Sequence, residues 1–98
     1  MEFIFEIIDK TDRKIRLTKK QWTHITFPSS PHAYMTNYLE YIKQTLINPN
    51  KIVSSLYDEM KANYYKYYKE KGKHLRVAVK YINGEGFVIT SYFVKNII

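Results

Sequence analysis

Two runs near the C-terminus, HLRVAVKYI (residues 74–82) and FVITSYFV (residues 87–94), flank the turn sequence NGEG. β-Branched and aromatic residues dominate both runs, and no proline interrupts either. In the first, Leu75, Val77, Val79 and Tyr81 alternate with Arg76, Ala78 and Lys80; in the second, Phe87, Ile89, Ser91 and Phe93 alternate with Val88, Thr90 and Tyr92. A period of two is a strand period, and the short connection makes the pair antiparallel. Residues paired across an antiparallel ladder share a face. A two-residue Asn83-Gly84 loop puts Lys80 beside Phe87 and mixes the faces. A three-residue loop through Glu85 pairs Ile82 with Gly86 and keeps them clean, so this is the expected register, with Gly86 as the bulge glycine. One face is then apolar, and the other gathers Arg76, Lys80, Thr90 and Tyr92.

The remaining elements follow from the same kind of pattern. FIFEII (residues 3–8), the polar DKTDRK and IRL (residues 15–17) read as an N-terminal hairpin. Thr18 and Gln21 have capping-box spacing, and Leu17 and Trp22 hold the two staple positions around that cap, so a helix is expected over residues 19–27. Pro28 and Pro31 end it. Met35, Leu39, Ile42 and Leu46 recur at helical spacing and predict a second helix, from residue 32 or 34 to 47. Residues 51–57 and 63–69 are two further strands. The expected fold is α+β in a single domain over residues 1–98: a short N-terminal hairpin, two helices, then a four-stranded antiparallel sheet.

Composition narrows the chemistry. The absence of cysteine excludes disulfides, thiolate zinc sites and a cysteine nucleophile. No H-x-x-x-H, D-x-D or E-x-x-H spacing supports a metal site, no glycine loop is built for phosphate, and no cofactor is implied. The N-terminus lacks a basic segment and a cleavage site, and no apolar run approaches the roughly 18 residues needed to span a bilayer, so a cytoplasmic protein with no membrane partner is expected. Sixteen basic residues against nine acidic ones leave a net charge of +7, and ten tyrosines accompany them. Cations that meet phosphates beside rings that stack on bases suit a nucleic-acid partner. The same features also describe a merely solvated sheet face, and charge alone does not decide.

Two placements matter for a site. In NYYKYYK, alternation favours Tyr65 and Tyr67 facing inward and Tyr64, Lys66 and Tyr68 outward, although the EKGK turn leaves that parity open. His24 lies about 100° from Ile25 and about 200° from Trp22 on a helical wheel, at the margin of the buried stripe and within reach of the sheet rim. His32, between prolines and the second helix, reads as a helix-start residue, and His74 as an exposed strand residue.

RLTKKQWTHI (residues 16–25), the Asn48-Pro49 pair, YYKYYK and VAVKYINGEGFVITSYF (residues 77–93), taken in order, resemble a family of small phage and prokaryotic proteins in the barnase–EndoU–colicin–RelE-like nuclease superfamily. The resemblance spans residues 16–93 and rests on order and spacing, since each motif is short. It implies a toxin-like, metal-independent endoribonuclease in which the RNA 2′-OH attacks phosphorus to give a 2′,3′-cyclic phosphate. It further implies His24 as the acid or base, Lys80 on the phosphate with Arg76 assisting, Thr90 and Tyr92 positioning oxygens or relaying protons, and Tyr64 or Tyr65 stacking on a base. Lys66 and Tyr68 complete the expected substrate face. RNA is the expected partner, with an acidic antitoxin protein and a homodimer as further ones. Two other functions fit the residues: an RNA- or protein-binding module without catalysis, and a structural or viral accessory oligomer joined through its tyrosines.

Overall fold

The computed structural model describes residues 2–97. Six strands, β1 (Phe3–Ile8), β2 (Lys14–Thr18), β3 (Lys51–Ser54), β4 (Lys61–Tyr68), β5 (Lys73–Ile82) and β6 (Glu85–Val94), form one sheet in the order β1-β2-β6-β5-β4-β3. Helix α1 (Lys19–Thr26), a 3-10 helix (Ala33–Asn37) and α2 (Leu39–Ile47) lie between β2 and β3 in the chain. Ile25, Met35, Ile42 and Leu46 from these helices meet Ile15, Leu17, Leu75, Val77, Val79 and Val88 from one face of the sheet in a single buried cluster. Among the described residues the other face carries no helix, so the fold is α+β with one covered and one open face.

The expected four-stranded antiparallel sheet with a separate hairpin is corrected here. Strands β3 to β6 do form an antiparallel meander, but the sheet continues past β6. Strand β2 pairs with β6 in parallel through Ile15–Gly86 and Arg16–Phe87, which brings the N-terminal hairpin into a six-stranded mixed sheet. Gly86 makes that junction close. A Cβ there would overlap Ile15 Cδ1 and stand 2.9 Å from Val79 Cγ1, so the glycine admits the neighbouring strand.

The β5–β6 register is also corrected. The loop is the two-residue Asn83-Gly84, both at positive φ (55° and 83°), and Ile82 pairs with Glu85. That is the turn geometry Asn-Gly favours. Lys80 does sit beside Phe87, and the mixed faces are resolved further along: Val79 pairs with Val88 and Ala78 with Thr90, leaving Ile89 as a bulge. Before the bulge Val88 faces the core and Phe87 the open side. After it Ser91 and Phe93 face the core, and Thr90 and Tyr92 the open side.

Helix α1 matches its expected start. Thr18 Oγ1 accepts from the Gln21 N–H at 3.0 Å, but the reciprocal half of the box is not made. The Gln21 side chain donates instead to the carbonyl of Ile89, the bulged residue. The second helix is broken in two at Tyr38. Thr36 Oγ1 bonds back to the Ala33 carbonyl, a local bond that competes with continuous helix. The break leaves Met35 and Ile42 both in the core, one from each piece.

Beyond Phe87 the edge of β6 has no neighbouring strand among the described residues, and the segment after α1 covers it. The His32 ring stacks on Tyr92 with centroids 4.4 Å apart and planes 9° from parallel. Tyr34 stacks on Phe93 at 6.3 Å, and its hydroxyl accepts the Phe93 N–H at 3.0 Å. Consecutive strand residues point to opposite faces, so His32 and Tyr34 grip β6 from both sides.

Candidate nucleic-acid interface

The β4 pairing settles which tyrosines face the open side. Tyr64 is opposite Val77 and Tyr65 opposite Arg76. Tyr64, Lys66 and Tyr68 therefore point to the helix-covered face and Tyr65 and Tyr67 to the open one, the reverse of the expected parity. Tyr64 is wholly buried and donates its hydroxyl to the carboxylate of Asp9, while Tyr81 shares the same hydroxyl at 2.6 Å. Burial, with the Asp9 bond second, pushes the Tyr64 phenol far up, so it stays a proton donor. Asp9 also accepts from the N–H groups of Thr11 and Arg13, both at 2.9 Å. This network pins the β1–β2 turn to the core and is not a substrate surface. Tyr68 bonds to Thr45 and to the Tyr41 carbonyl inside the α2 interface, and Lys66 reaches the Asn48 carbonyl at 3.2 Å.

On the open face the registers line up one row across four strands: Lys51, Tyr65, Arg76 and Tyr92. Three strand spacings of about 4.8 Å make it roughly 14 Å long, and His32 extends it by stacking on Tyr92. Arg76 is its centre. The guanidinium donates through Nε to Asn63 Oδ1 at 3.1 Å and through Nη1 to the Tyr92 hydroxyl. Its Cζ lies 5.2 Å from the Tyr92 ring centroid. Both partners are neutral, and among the described residues no carboxylate lies within ion-pair distance of Arg76. The row thus presents two positive charges without an ion-pair partner among the described residues, Lys51 at its end and Arg76 at its centre, and Arg76 is held in orientation beside an imidazole and a phenol. Tyr65 is only 2% exposed, so it floors the row and does not offer a free ring. The accessible ring is its neighbour Tyr67, edge-on to His74 at 5.1 Å.

The other expected site residues are spread out. Thr90 stands in the adjacent row with Ala78 and Asn63. Lys80 is four residues along β5 from Arg76, roughly 13 Å at strand rise, and faces Asp58 at 3.5 Å. The Asp58 carboxyl is held below the usual carboxylate range by the Met60 N–H first and the Lys80 charge after it. His24 is exposed and lines a groove of about 520 Å³ with Lys20, Thr23, Phe27, Ser29, Ser30 and Pro31. None of those residues belongs to the sheet. Arg76 and Tyr92 are therefore brought together, Lys80 lies farther along β5, and His24 lines the α1 groove. Sequence reasoning passed over His32, Asn63 and Lys51. For His32 the available signal was its place in a proline-bounded loop, where a side chain can reach the unpaired end of a short neighbouring strand.

No family model, curated protein or solved structure matches the chain. Among the described residues no three His, Asp or Glu side chains cluster to hold a metal ion. No helix among them is long and apolar enough to cross a membrane.

Proposed function

We propose that the protein binds single-stranded RNA along the Lys51–Tyr65–Arg76–Tyr92–His32 row and cleaves it without a metal, through 2′-OH attack to a 2′,3′-cyclic phosphate and a free 5′-OH. The observation that carries this reading is the Arg76–Tyr92–His32 cluster, a cation with neutral partners next to two groups that can move protons. Transesterification at phosphorus needs a base for the 2′-OH, an acid for the leaving 5′-oxygen, and positive charge on the phosphorane oxygens. Arg76 supplies the charge in a fixed fork. His32 takes the 2′-OH proton. The Tyr92 oxygen already accepts from Arg76, so its own proton is free for the leaving oxygen. The net charge of +7 supports a polyanion partner.

The test is incubation of mixed RNA with the protein in EDTA, followed by analysis of end groups. Cyclic phosphate is expected from the native chain. Arg76→Ala should lower the rate on the order of 100-fold, the scale of losing one charge-stabilising donor. His32→Ala should lower it comparably, and His24→Ala should not. The reverse order of the two histidine variants would return the acid–base role to the α1 groove. Salt-sensitive binding without cyclic phosphate would leave an RNA-binding module and remove the chemistry.

A further inference from the structure

The segment that places His32 on the open face places Tyr34 on the other side of β6, where a second, smaller cavity lies. Tyr34, Tyr38, Phe93, Lys71 and Lys73 enclose about 320 Å³, within the range of small-ligand pockets. Tyr38 meets Phe93 edge-on at 5.1 Å, and Tyr34 lies 19° from parallel with Phe93. The bond from the Phe93 N–H holds Tyr34 in place. Lys71 Nζ stands 4.9 Å from the Tyr38 centroid, and the Tyr38 phenol beside it keeps the ammonium above its ordinary pKa. Neither lysine forms an ion pair among the described residues.

Three aromatic walls alone would suit a quaternary ammonium. Two ammonium groups in the lining repel such a ligand and favour a flat ring that carries negative charge. We propose that this pocket holds one nucleotide of the strand bound on the open face, its base against Phe93 and Tyr34 and its phosphate between Lys71 and Lys73. The inference rests on the RNA-binding reading above. Tyr92 and Phe93 are consecutive and point to opposite faces, so a strand that leaves the row past the C-terminal end of β6 reaches the pocket within a short span.

The experiment measures affinity of the full chain for 2′-O-methyl oligouridylates of two and six nucleotides, which lack the attacking hydroxyl and stay intact. A Lys71→Ala, Lys73→Ala double variant should bind the hexamer about tenfold more weakly and the dimer unchanged. A Lys10→Ala, Lys69→Ala control removes equal charge outside the pocket and should lose less than twofold at either length. Uridine 5′-monophosphate at millimolar concentration, above the range in which the dimer fills the open-face row, should shift the Tyr34 and Phe93 resonances of the native chain but not of the first double variant. Equal losses at both lengths, or losses matched by the control, would overturn the pocket. Arg76→Ala keeps the two readings apart. If it leaves both affinities intact while the pocket variant still weakens the hexamer, the open-face reading falls and the pocket survives as a nucleotide site.

Discussion

The open face has two ends that use their cations differently. At the end near the β5–β6 turn, Arg16 donates to both Glu6 and Glu85, and Lys80 faces Asp58. At the other end Arg76 touches only an amide and a phenol. Both ends draw on β5 and β6, and both would count equally in a tally of net charge. In the first the positive charge is spent within the protein: the Arg16 bond holds the Glu6 carboxyl below its usual range, and the partnered Arg16 stays protonated. In the second the charge is left for a partner from outside. A basic residue marks a site when its neighbours orient it without neutralising it.

The most severe test of that contrast is a pair of matched deletions. Arg76→Ala should weaken RNA binding at least tenfold near physiological salt and flatten the salt dependence by about 0.7 in log–log slope, the share of one phosphate contact on a single strand. Arg16→Ala should leave the affinity within twofold and lower the thermal midpoint instead, because it strands two carboxylates. Anisotropy titrations at several salt concentrations, set beside melting curves, would read both. Equal effects of the two variants on binding would dissolve the distinction between the ends.

The covered face supplies the next largest effects, on stability alone. Tyr64→Phe removes one of the donors on buried Asp9 and should cost about 1–3 kcal/mol. Gly86→Ala drives a methyl into Ile15 and Val79 and should cost about 1–3 kcal/mol. Neither should alter RNA affinity once the protein is folded, as denaturant titration and binding at low temperature can show. These two residues also mark where sequence reading stops. The strands of the meander, the hairpin and the start of α1 were legible because period-two runs and the Thr18 cap act locally, whereas the Asn-Gly pair was passed over for a three-residue loop. The face of β4 was not, since alternating tyrosines look alike from either side and only Asp9, 55 residues away, distinguishes Tyr64. The parallel β2–β6 pair rests on two residue pairs with three helices and three strands between them in the chain. Its one trace in the sequence, Gly86, reads equally well as a turn glycine. The Ile89 bulge left no mark, because its purpose is visible only once Gln21 is seen bonded to its carbonyl. The candidate site was half legible: Arg76 and Tyr92 followed from parity, whereas His32 required knowing that the end of β6 is bare.

The smallest effect expected lies at Asp58, where an amide can replace the carboxylate with little change in shape. Asp58→Asn keeps an oxygen for the Met60 N–H, bonded at 2.9 Å in the native chain, and removes only the charge opposite Lys80. With Lys80 released, the quiet end of the face should come to resemble the Arg76 end: RNA affinity should rise two- to fivefold and the salt slope steepen by about 0.7. The pH dependence follows the sign of the shift. A carboxyl whose pKa is lower in the folded state stabilises the protein fully above its unfolded pKa, and that contribution is lost as pH falls through the folded value. Native protein should therefore lose stability below about pH 4 more steeply than Asp58→Asn, with the two curves parallel from pH 5 to 7. Affinity that stays flat in Asp58→Asn would mean that Lys80 lies beyond the path of the bound strand, and that the working surface is the Arg76 row alone.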